Sequence, residues 1–185
     1  IDYRHETDWY KEITRVPVST EHNIALSGGM KNVDYRASIN YKLNQGLAKN
    51  SDFQEIMARA SVNQHALNDI LEFNYNVSYS KTKSSWVDHS AYQQAMKFNP
   101  TMPVYTTPDD PNYLKYGGYY QNFDKSGFTN PVSIIEQPTK DGTDQTFLGS
   151  IRATIKPISG LRLSAFGSYQ YWNQSTANYY PSNSV

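Results

Sequence analysis

Residue types that carry out chemistry are scattered along this chain rather than spaced as a site. The four histidines are His5, His22, His65 and His89. No pair of them has the spacing of metal ligands, and the acidic turns DDPN (109–112) and DGTD (141–144) do not fit a calcium-binding loop. No Ser-His-Asp or paired-carboxylate arrangement is indicated. The sequence therefore predicts no catalysis, no cofactor and no metal site.

Tyrosine is the residue that stands out, with 16 copies in 185 residues. Five tyrosines fall in one stretch that is rich in proline, glycine and asparagine: Tyr105, Tyr113, Tyr116, Tyr119 and Tyr120. Long ordered loops are usually functional, and aromatic side chains stack on sugar rings or line peptide-binding entrances. These tyrosines are candidates for contact with a ligand or a partner. The alternative is a loop that packs on itself.

Composition excludes several classes of protein. Acidic and basic residues balance at 17 each, so no basic surface suggests a nucleic-acid partner. The absence of cysteine excludes disulfides and cysteine-based metal sites. No apolar run approaches the roughly 20 residues that a membrane-spanning helix needs. A mean hydropathy of −0.71 still permits a transmembrane β-barrel, because its strands are apolar on one face only.

Alternation of apolar and polar residues predicts an all-β fold. In YRASINYKL (35–43), every second side chain is apolar or aromatic and those between are polar, as in a strand with two unlike faces. The same period predicts six strands at about 22–29, 34–43, 53–64, 70–82, 145–157 and 160–173. Consecutive strands of this kind form an antiparallel meander.

The connections between these strands alternate between short and long. GGMKNVD, NQHALND and PISG are short, whereas NQGLAKNSD is longer and the connection at about 84–143 is very long. This alternation is typical of membrane barrels, which have tight periplasmic turns and long external loops. Within the long external loop, DHSAYQQAMKF (88–98) predicts a short helix capped by Asp88.

The two faces of the strands fit a barrel wall. Tyrosines on the apolar face lie toward strand ends, where aromatic girdles meet the lipid–water boundary. The opposite face is polar and is expected to line a lumen. Its candidate site residues are Arg36, Arg59, Asn74, Asn76 and Arg152.

Several blocks of the chain, taken in order, resemble a known family. HNIALSGGMKNVDYRASINYKLNQGLAKNSDFQEIMARASVN (22–63) is similar to the early barrel region of SusC/RagA-type TonB-dependent outer-membrane transporters of Bacteroidota. TDWYKEI (7–13) resembles the segment that precedes it there. AYQQAMKFNPTMPVY (91–105) and NPVSII (130–135) resemble the first large external loop region.

The resemblance implies a larger parent protein. Such transporters form barrels of about 22 strands, so this chain is expected to be a segment of barrel wall with one external loop. The parent is expected in the bacterial outer membrane, in contact with lipid. It would import a glycan or a peptide with a SusD-like surface lipoprotein, and would contact TonB through a plug and N-terminal region absent here. The five lumen-facing residues would then contact the plug or lumen water.

Two other interpretations of the strands remain open. A soluble β-sandwich also has one buried face and one solvated face, and would bind carbohydrate through its aromatic loops. A small closed outer-membrane barrel, acting as an enzyme or adhesin, needs at least eight strands, and the sequence predicts six.

Overall fold

The computed structural model describes residues 4–121 and 128–184 of the chain. Residues 122–127, which belong to the predicted external loop, lie outside the described residues. The elements in chain order are α1 (Trp9–Ile13), β1 (Ser19–Met30), β2 (Val33–Gln45), β3 (Asp52–Ala66), β4 (Leu71–Ser85), α2 (Ser90–Lys97), α3 (Pro131–Glu136), β5 (Thr139–Ile158) and β6 (Leu161–Tyr179). None of the helices in these ranges has the length and apolar character needed to cross a membrane.

The six strands form one antiparallel sheet in which each strand pairs with its neighbours in sequence, from β1 through β6. The predicted all-β antiparallel meander is therefore confirmed, and the sheet is open. A β-sandwich requires a second sheet packed on the first, but the described residues contain a single sheet. The soluble β-sandwich carbohydrate-binding module and the small closed barrel do not describe this fold.

Short turns lie at one end of the sheet and longer connections at the other. The turn end has residues 31–32, 67–70 and 159–160, and the loop end has residues 46–51 and 86–138. Asn68 (φ 54°) and Gly160 (φ 84°) supply the left-handed backbone conformation that tight turns require. The strands therefore run between a turn end with short connections and a loop end with long connections.

The strands extend further at the loop end than hydrophobic alternation indicates. β5 begins at Thr139 rather than near residue 145, and β6 continues to Tyr179 rather than ending near residue 173. The connection between β4 and β5 is therefore 86–138, which is shorter than the expected loop at 84–143. Residues in these extensions are mostly polar on both faces of the sheet, so hydrophobic periodicity gives no signal there.

The predicted helix at 88–98 is present as α2, but its cap differs from the prediction. His89 occupies the N-cap position, and its side chain makes no capping hydrogen bond. Asp88 lies one residue earlier, where its Oδ1 accepts a hydrogen bond from the backbone N–H of Ser90 at 2.9 Å. That bond lowers the pKa of Asp88. The Asp88 N-cap was wrong by one position, although the carboxylate still binds the first turn.

The buried apolar core lies at the loop end and not on the sheet. Its members are Trp9, Ile13, Ala48, Val87, Ala91, Phe98, Met102, Val132 and Ile135. Trp9 packs edge to face on Phe98 with ring centroids 4.8 Å apart, and its Nε1 donates to the carbonyl of Asn99 at 3.0 Å. We call the described parts of residues 4–18, 46–51 and 86–138 the loop assembly. Among the described residues, the strands contribute no apolar side chain to this core.

Candidate functional site

Strand register sorts the side chains of the sheet into an apolar face and a polar face. One row of paired positions on the apolar face is Ile24, Ile39, Ala58, Tyr79, Phe147 and Tyr171. One row on the polar face is Ser27, Arg36, Ser61, Asn76, Ser150 and Ser168. The period of two seen in each strand is thus kept in phase across all six strands.

The apolar face is uncovered. Ile24 is 77% exposed, Ile39 55% and Val77 45%, although each lies in a regular strand. Soluble monomeric proteins rarely leave contiguous apolar patches larger than a few hundred Å² in water. The face therefore requires an apolar medium or another protein surface against it.

The apolar band has the width of a membrane interior. In β6 it runs from Leu161 to Tyr171, which is about 34 Å along the strand at ~3.4 Å per residue. A strand tilt of about 40° reduces this length to ~26 Å, close to the apolar band of outer-membrane barrels. Ile39 of β2 lies in the same row as Tyr171, where the band of β6 ends. In β2 the band continues past Ile39 to Leu43. Such a shift along the register is expected when the strands cross the band at a tilt.

The five residues predicted to face a lumen all lie on the polar face: Arg36, Arg59, Asn74, Asn76 and Arg152. Arg36, Arg59 and Asn76 line one groove of about 420 Å³. Asn74 pairs with Arg152 across β4 and β5, and its Nδ2 donates to Oδ1 of Asn63 at 2.9 Å. These guanidinium and amide groups suit contact with water or with carbonyl groups of another segment. Their contact with a lumen or plug stays a prediction.

Two aromatic side chains interrupt the polar face on β6. Phe166 and Trp172 are each 59% exposed, and the guanidinium carbon of Arg152 lies 5.1 Å from the centroid of the Phe166 ring. The alternation placed Phe166 on this face but gave no reason to single out either residue. The two rings are six positions apart on the edge strand and do not form a contiguous apolar patch, and apolar side chains scattered singly on a surface are ordinary.

The five loop tyrosines divide into packed and exposed members. Tyr119 and Tyr120 pack against the core of the loop assembly. Tyr113 lies against Gly118, where φ is +85° and an added Cβ would lie 3.2 Å from the tyrosine ring. Tyr105 is 56% exposed. The remaining member, Tyr116, is half-buried beneath the ammonium group of Lys115, 5.0 Å from its ring centroid.

Tyr105 and Tyr119 share one carboxylate. Their ring centroids are 5.3 Å apart, and their hydroxyls donate to Oε2 of Glu136 at 3.3 and 2.8 Å respectively. Burial, and then the hydrogen bond to Glu136, raise the pKa of Tyr119 well above its usual value. Burial and the charge of Glu136 also raise the pKa of Tyr105. This cluster is a fixed aromatic platform with one exposed member.

An acidic groove of about 480 Å³ opens beside this platform. It is lined by residues from 5–12 and 103–105, including Tyr105, three carboxylates (Glu6, Asp8 and Glu12) and one ammonium group (Lys11). Carboxylates beside an exposed aromatic ring can accept hydrogen bonds from sugar hydroxyls or pair with a basic peptide side chain. The sequence reasoning missed the part that α1 has in this groove. The sequence does contain features that indicate this helix. Asp8 is a helix-capping residue, and Trp9 and Ile13 are spaced to share one helix face.

Asn130 holds the platform and the groove in place. It is completely buried, and its Nδ2 donates to the carbonyls of Val104 and Tyr120 at 2.8 and 2.9 Å. Its Oδ1 accepts from the N–H of Val132 at 3.0 Å and so caps α3. One side chain therefore joins both flanks of the tyrosine stretch to a helix.

The described histidines and carboxylates do not gather into a group that suits a metal ion. His65 lies at the turn end, with Nδ1 3.4 Å from Asp69 and 3.7 Å from Glu72. Lys156 pairs with the same Glu72. This cluster ties the turn at 67–70 to β5.

Comparison with known proteins places this arrangement in a family. The chain is 31% identical over 190 residues to the TonB-dependent receptor SusC of Bacteroides thetaiotaomicron, and this match covers 92% of the chain. The chain belongs to the SusC-type TonB-dependent receptors. A TonB-dependent receptor of Formosa agariphila is 25% identical over 157 residues, or 81% of the chain. The chain spans 19% and 14% of the lengths of these two relatives. No protein-family model matches it.

Solved structures share the fold of this SusC-type segment. The RagAB peptide transporter matches with a TM-score of 0.69 at 23% identity, covering 96% of this chain and 20% of that chain. The RagAB peptide importer in its open-open state gives a TM-score of 0.70 with the same identity and coverage. At this identity the likeness concerns the fold alone. The predicted SusC/RagA-type resemblance is confirmed by the match to SusC together with this fold.

Proposed function

We propose that the chain forms a section of barrel wall and one external loop of an outer-membrane TonB-dependent importer. The observation that carries the proposal is the uncovered apolar band of ~26 Å on a single sheet whose other face is polar. An open sheet in lipid leaves unpaired backbone groups on its edge strands, each costing several kcal/mol. The six strands therefore act within a larger closed barrel.

The orientation follows from the two ends of the sheet. Outer-membrane barrels have short turns in the periplasm and longer loops outside, so the turn end faces the periplasm and the loop assembly faces the exterior. The polar face then lines the lumen. There Arg36, Arg59 and Arg152 contact lumen water or a plug through which TonB acts.

The loop assembly presents the surface on which a nutrient and a partner protein meet the barrel. Hydrogen bonds of Glu136 and Asn130 hold Tyr105 and Val104, which both line the acidic groove. Exposed Tyr10, Met96 and Leu114 on the same assembly suit a SusD-like surface lipoprotein packed over it. The imported nutrient is a glycan or a peptide, and both classes offer groups that an aromatic platform with carboxylates binds.

Deletion of the gene that encodes this chain tests the proposed function. Uptake of defined oligosaccharides and oligopeptides would be measured in the deletion strain, and in the same strain complemented with the complete receptor. We expect uptake of one of the two classes to be lost and then restored, and the restored uptake to require TonB. Recovery of the receptor in the soluble fraction, or unchanged uptake of both classes, would contradict the proposal.

A further inference from the structure

Two lysines occupy consecutive positions on the apolar face, just beyond the apolar band at its loop end. On β4 the band ends at Tyr79, and Lys81 and Lys83 follow on the same face. The row of Tyr79 is aromatic across β4, β5 and β6, where it contains Tyr79, Phe147 and Tyr171. Aromatic rows of this kind mark the boundary between lipid tails and headgroups. The two ammonium groups therefore lie at headgroup depth, on the surface that faces lipid.

Neither lysine is neutralised within the chain. In the part of the chain that the structure describes, no carboxylate lies within 4.0 Å of Lys81 or Lys83, and neither takes part in an ion pair. At the same level of the sheet, Glu55 and Asp144 both pair with Thr82 on the polar face. The sheet itself separates these acids from the two lysines.

Apart from Ile56, which pairs with Lys81, the neighbours of the two lysines on the apolar face are uncharged hydrogen-bonding residues. They are Gln54, Thr143, Gln145, Asn173 and Ser175. The nearest acids on this face are Asp52 and Asp141, which flank Ser85 one row further from the band. Asp52 is in an ion pair with Arg15, and Ser85 Oγ donates to Oδ1 of Asp141 at 2.8 Å. The patch is thus cationic and rich in donors, directly above a surface that suits acyl chains.

We infer that Lys81 and Lys83 bind the phosphate group of an anionic lipid in the outer leaflet. This inference rests on the proposed function, because it requires the apolar band to lie in the membrane. Charge complementarity selects the lipid: a phosphate accepts charge-assisted hydrogen bonds from both ammonium groups. The acyl chains of the same molecule lie over Val77 and Tyr79, which are 45% and 40% exposed.

Lipid titration of the complete receptor tests the inference. The receptor is purified from outer membranes in a mild detergent, and its lipid adducts are counted by native mass spectrometry during titration with phosphatidic acid or with phosphatidylcholine of the same chain length. A lysine near an anionic lipid surface contributes about 1 kcal/mol. We expect Lys81→Ala and Lys83→Ala each to weaken phosphatidic acid binding about fivefold, and the double variant about thirtyfold.

A matched double variant and a competitor make the outcome decisive. Lys42→Ala/Lys115→Ala removes the same charge from the polar face and the loop, and should bind phosphatidic acid as the unmodified receptor does. Unchanged binding by the Lys81→Ala/Lys83→Ala receptor would overturn the inference, as would displacement of the lipid by inorganic phosphate. A receptor that is absent from the outer-membrane fraction would instead contradict the proposed function, and fractionation before the titration separates the two failures.

Discussion

At the scale of single residues, the side chains of neighbouring positions in one strand lie on opposite faces of the sheet and suit opposite surroundings. Ile39 lies near the middle of the apolar run of β2, between Val33 and Leu43, and is 55% exposed. Asn40 is the next residue, and its Nδ2 donates to Oε1 of Glu21 on the polar face at 2.8 Å. A charge is therefore costly at the first position and tolerated at the second.

An arginine at each position tests this assignment. Ile39→Arg should lower the stability of the inserted receptor by about 2–4 kcal/mol, since the charge would lie deep in lipid. Asn40→Arg should have little effect, because the guanidinium faces water and Glu21. The measurement is the denaturant midpoint of the complete receptor refolded into liposomes. Equal losses for the two variants would show that the faces are assigned wrongly.

The Asn130 side chain is expected to be the most sensitive polar group in the loop assembly. Asn130→Ala removes two donated hydrogen bonds and a helix cap from a fully buried site. Each buried group left unpaired costs about 1–3 kcal/mol, so the loop assembly should open locally. Hydrogen exchange of residues 104–121 should become faster by at least tenfold. Asn112→Ala is the control, because the hydrogen bonds recorded for Asn112 come from its backbone.

The raised pKa of Tyr119 is expected to make the stability of the loop assembly fall at high pH. Burial and the hydrogen bond to Glu136 raise its pKa in the folded state above the ordinary value of about 10. The folded state therefore retains the phenol proton where the unfolded chain has lost it, and stability falls as the pH rises above about 10. Difference absorbance of tyrosinate between the unmodified receptor and Tyr119→Phe should show late ionisation of this residue. Ionisation at the ordinary pH would contradict the packing of the tyrosine pair.

At the scale of elements, α1 is part of the loop assembly although it precedes the first strand. Arg15 joins the same region, since its guanidinium donates to the carbonyl of Ser51 and to Oδ1 of Asp52, each at 2.7 Å. Together with the Trp9–Phe98 contact, this ion pair fixes the segment before β1 against two other connections.

Removal of the Trp9 side chain should release α1. Trp9 is 3% exposed, and truncation of a buried tryptophan costs about 3–5 kcal/mol. Limited proteolysis of the Trp9→Ala receptor should cut within residues 4–18 and 86–104 much faster than in the unmodified receptor. The adjacent Tyr10, which is 50% exposed, provides the control as Tyr10→Ala. Similar cleavage of both variants would mean that α1 does not depend on this contact.

The strands were predictable from the sequence, whereas the loop assembly was not. Alternation identifies a strand only where its two faces meet different media, which is why β4 was found between 70 and 82 and the polar beginning of β5 at Thr139 was missed. Trp9 contacts Asn99, Asn130 contacts Val104 and Glu136 contacts Tyr119, and these pairs are 90, 26 and 17 positions apart. No local pattern contains such contacts, so the sequence could single out the aromatic stretch but could not give its geometry.

At the scale of the whole molecule, the distribution of buried residues indicates that the sheet is one part of a larger structure. The apolar core is confined to the loop assembly, and the sheet keeps its apolar residues on its surface. The match to SusC spans 19% of that protein. Under the proposed function, the remaining wall of a larger barrel, with lipid outside it and a plug inside it, would supply the surfaces that this sheet lacks.

Site-directed spin labelling along β4 of the complete receptor in liposomes tests the central claim most directly. The chain has no cysteine, so labels introduced at positions 75 to 80 are unique within this segment. We predict that accessibility to oxygen, which dissolves in lipid, peaks at Tyr75, Val77 and Tyr79. Accessibility to a water-soluble nickel chelate should peak instead at Asn76 and Ser78. Loss of this alternation, or alternation in the opposite phase, would contradict the assignment of the chain as a membrane-barrel wall.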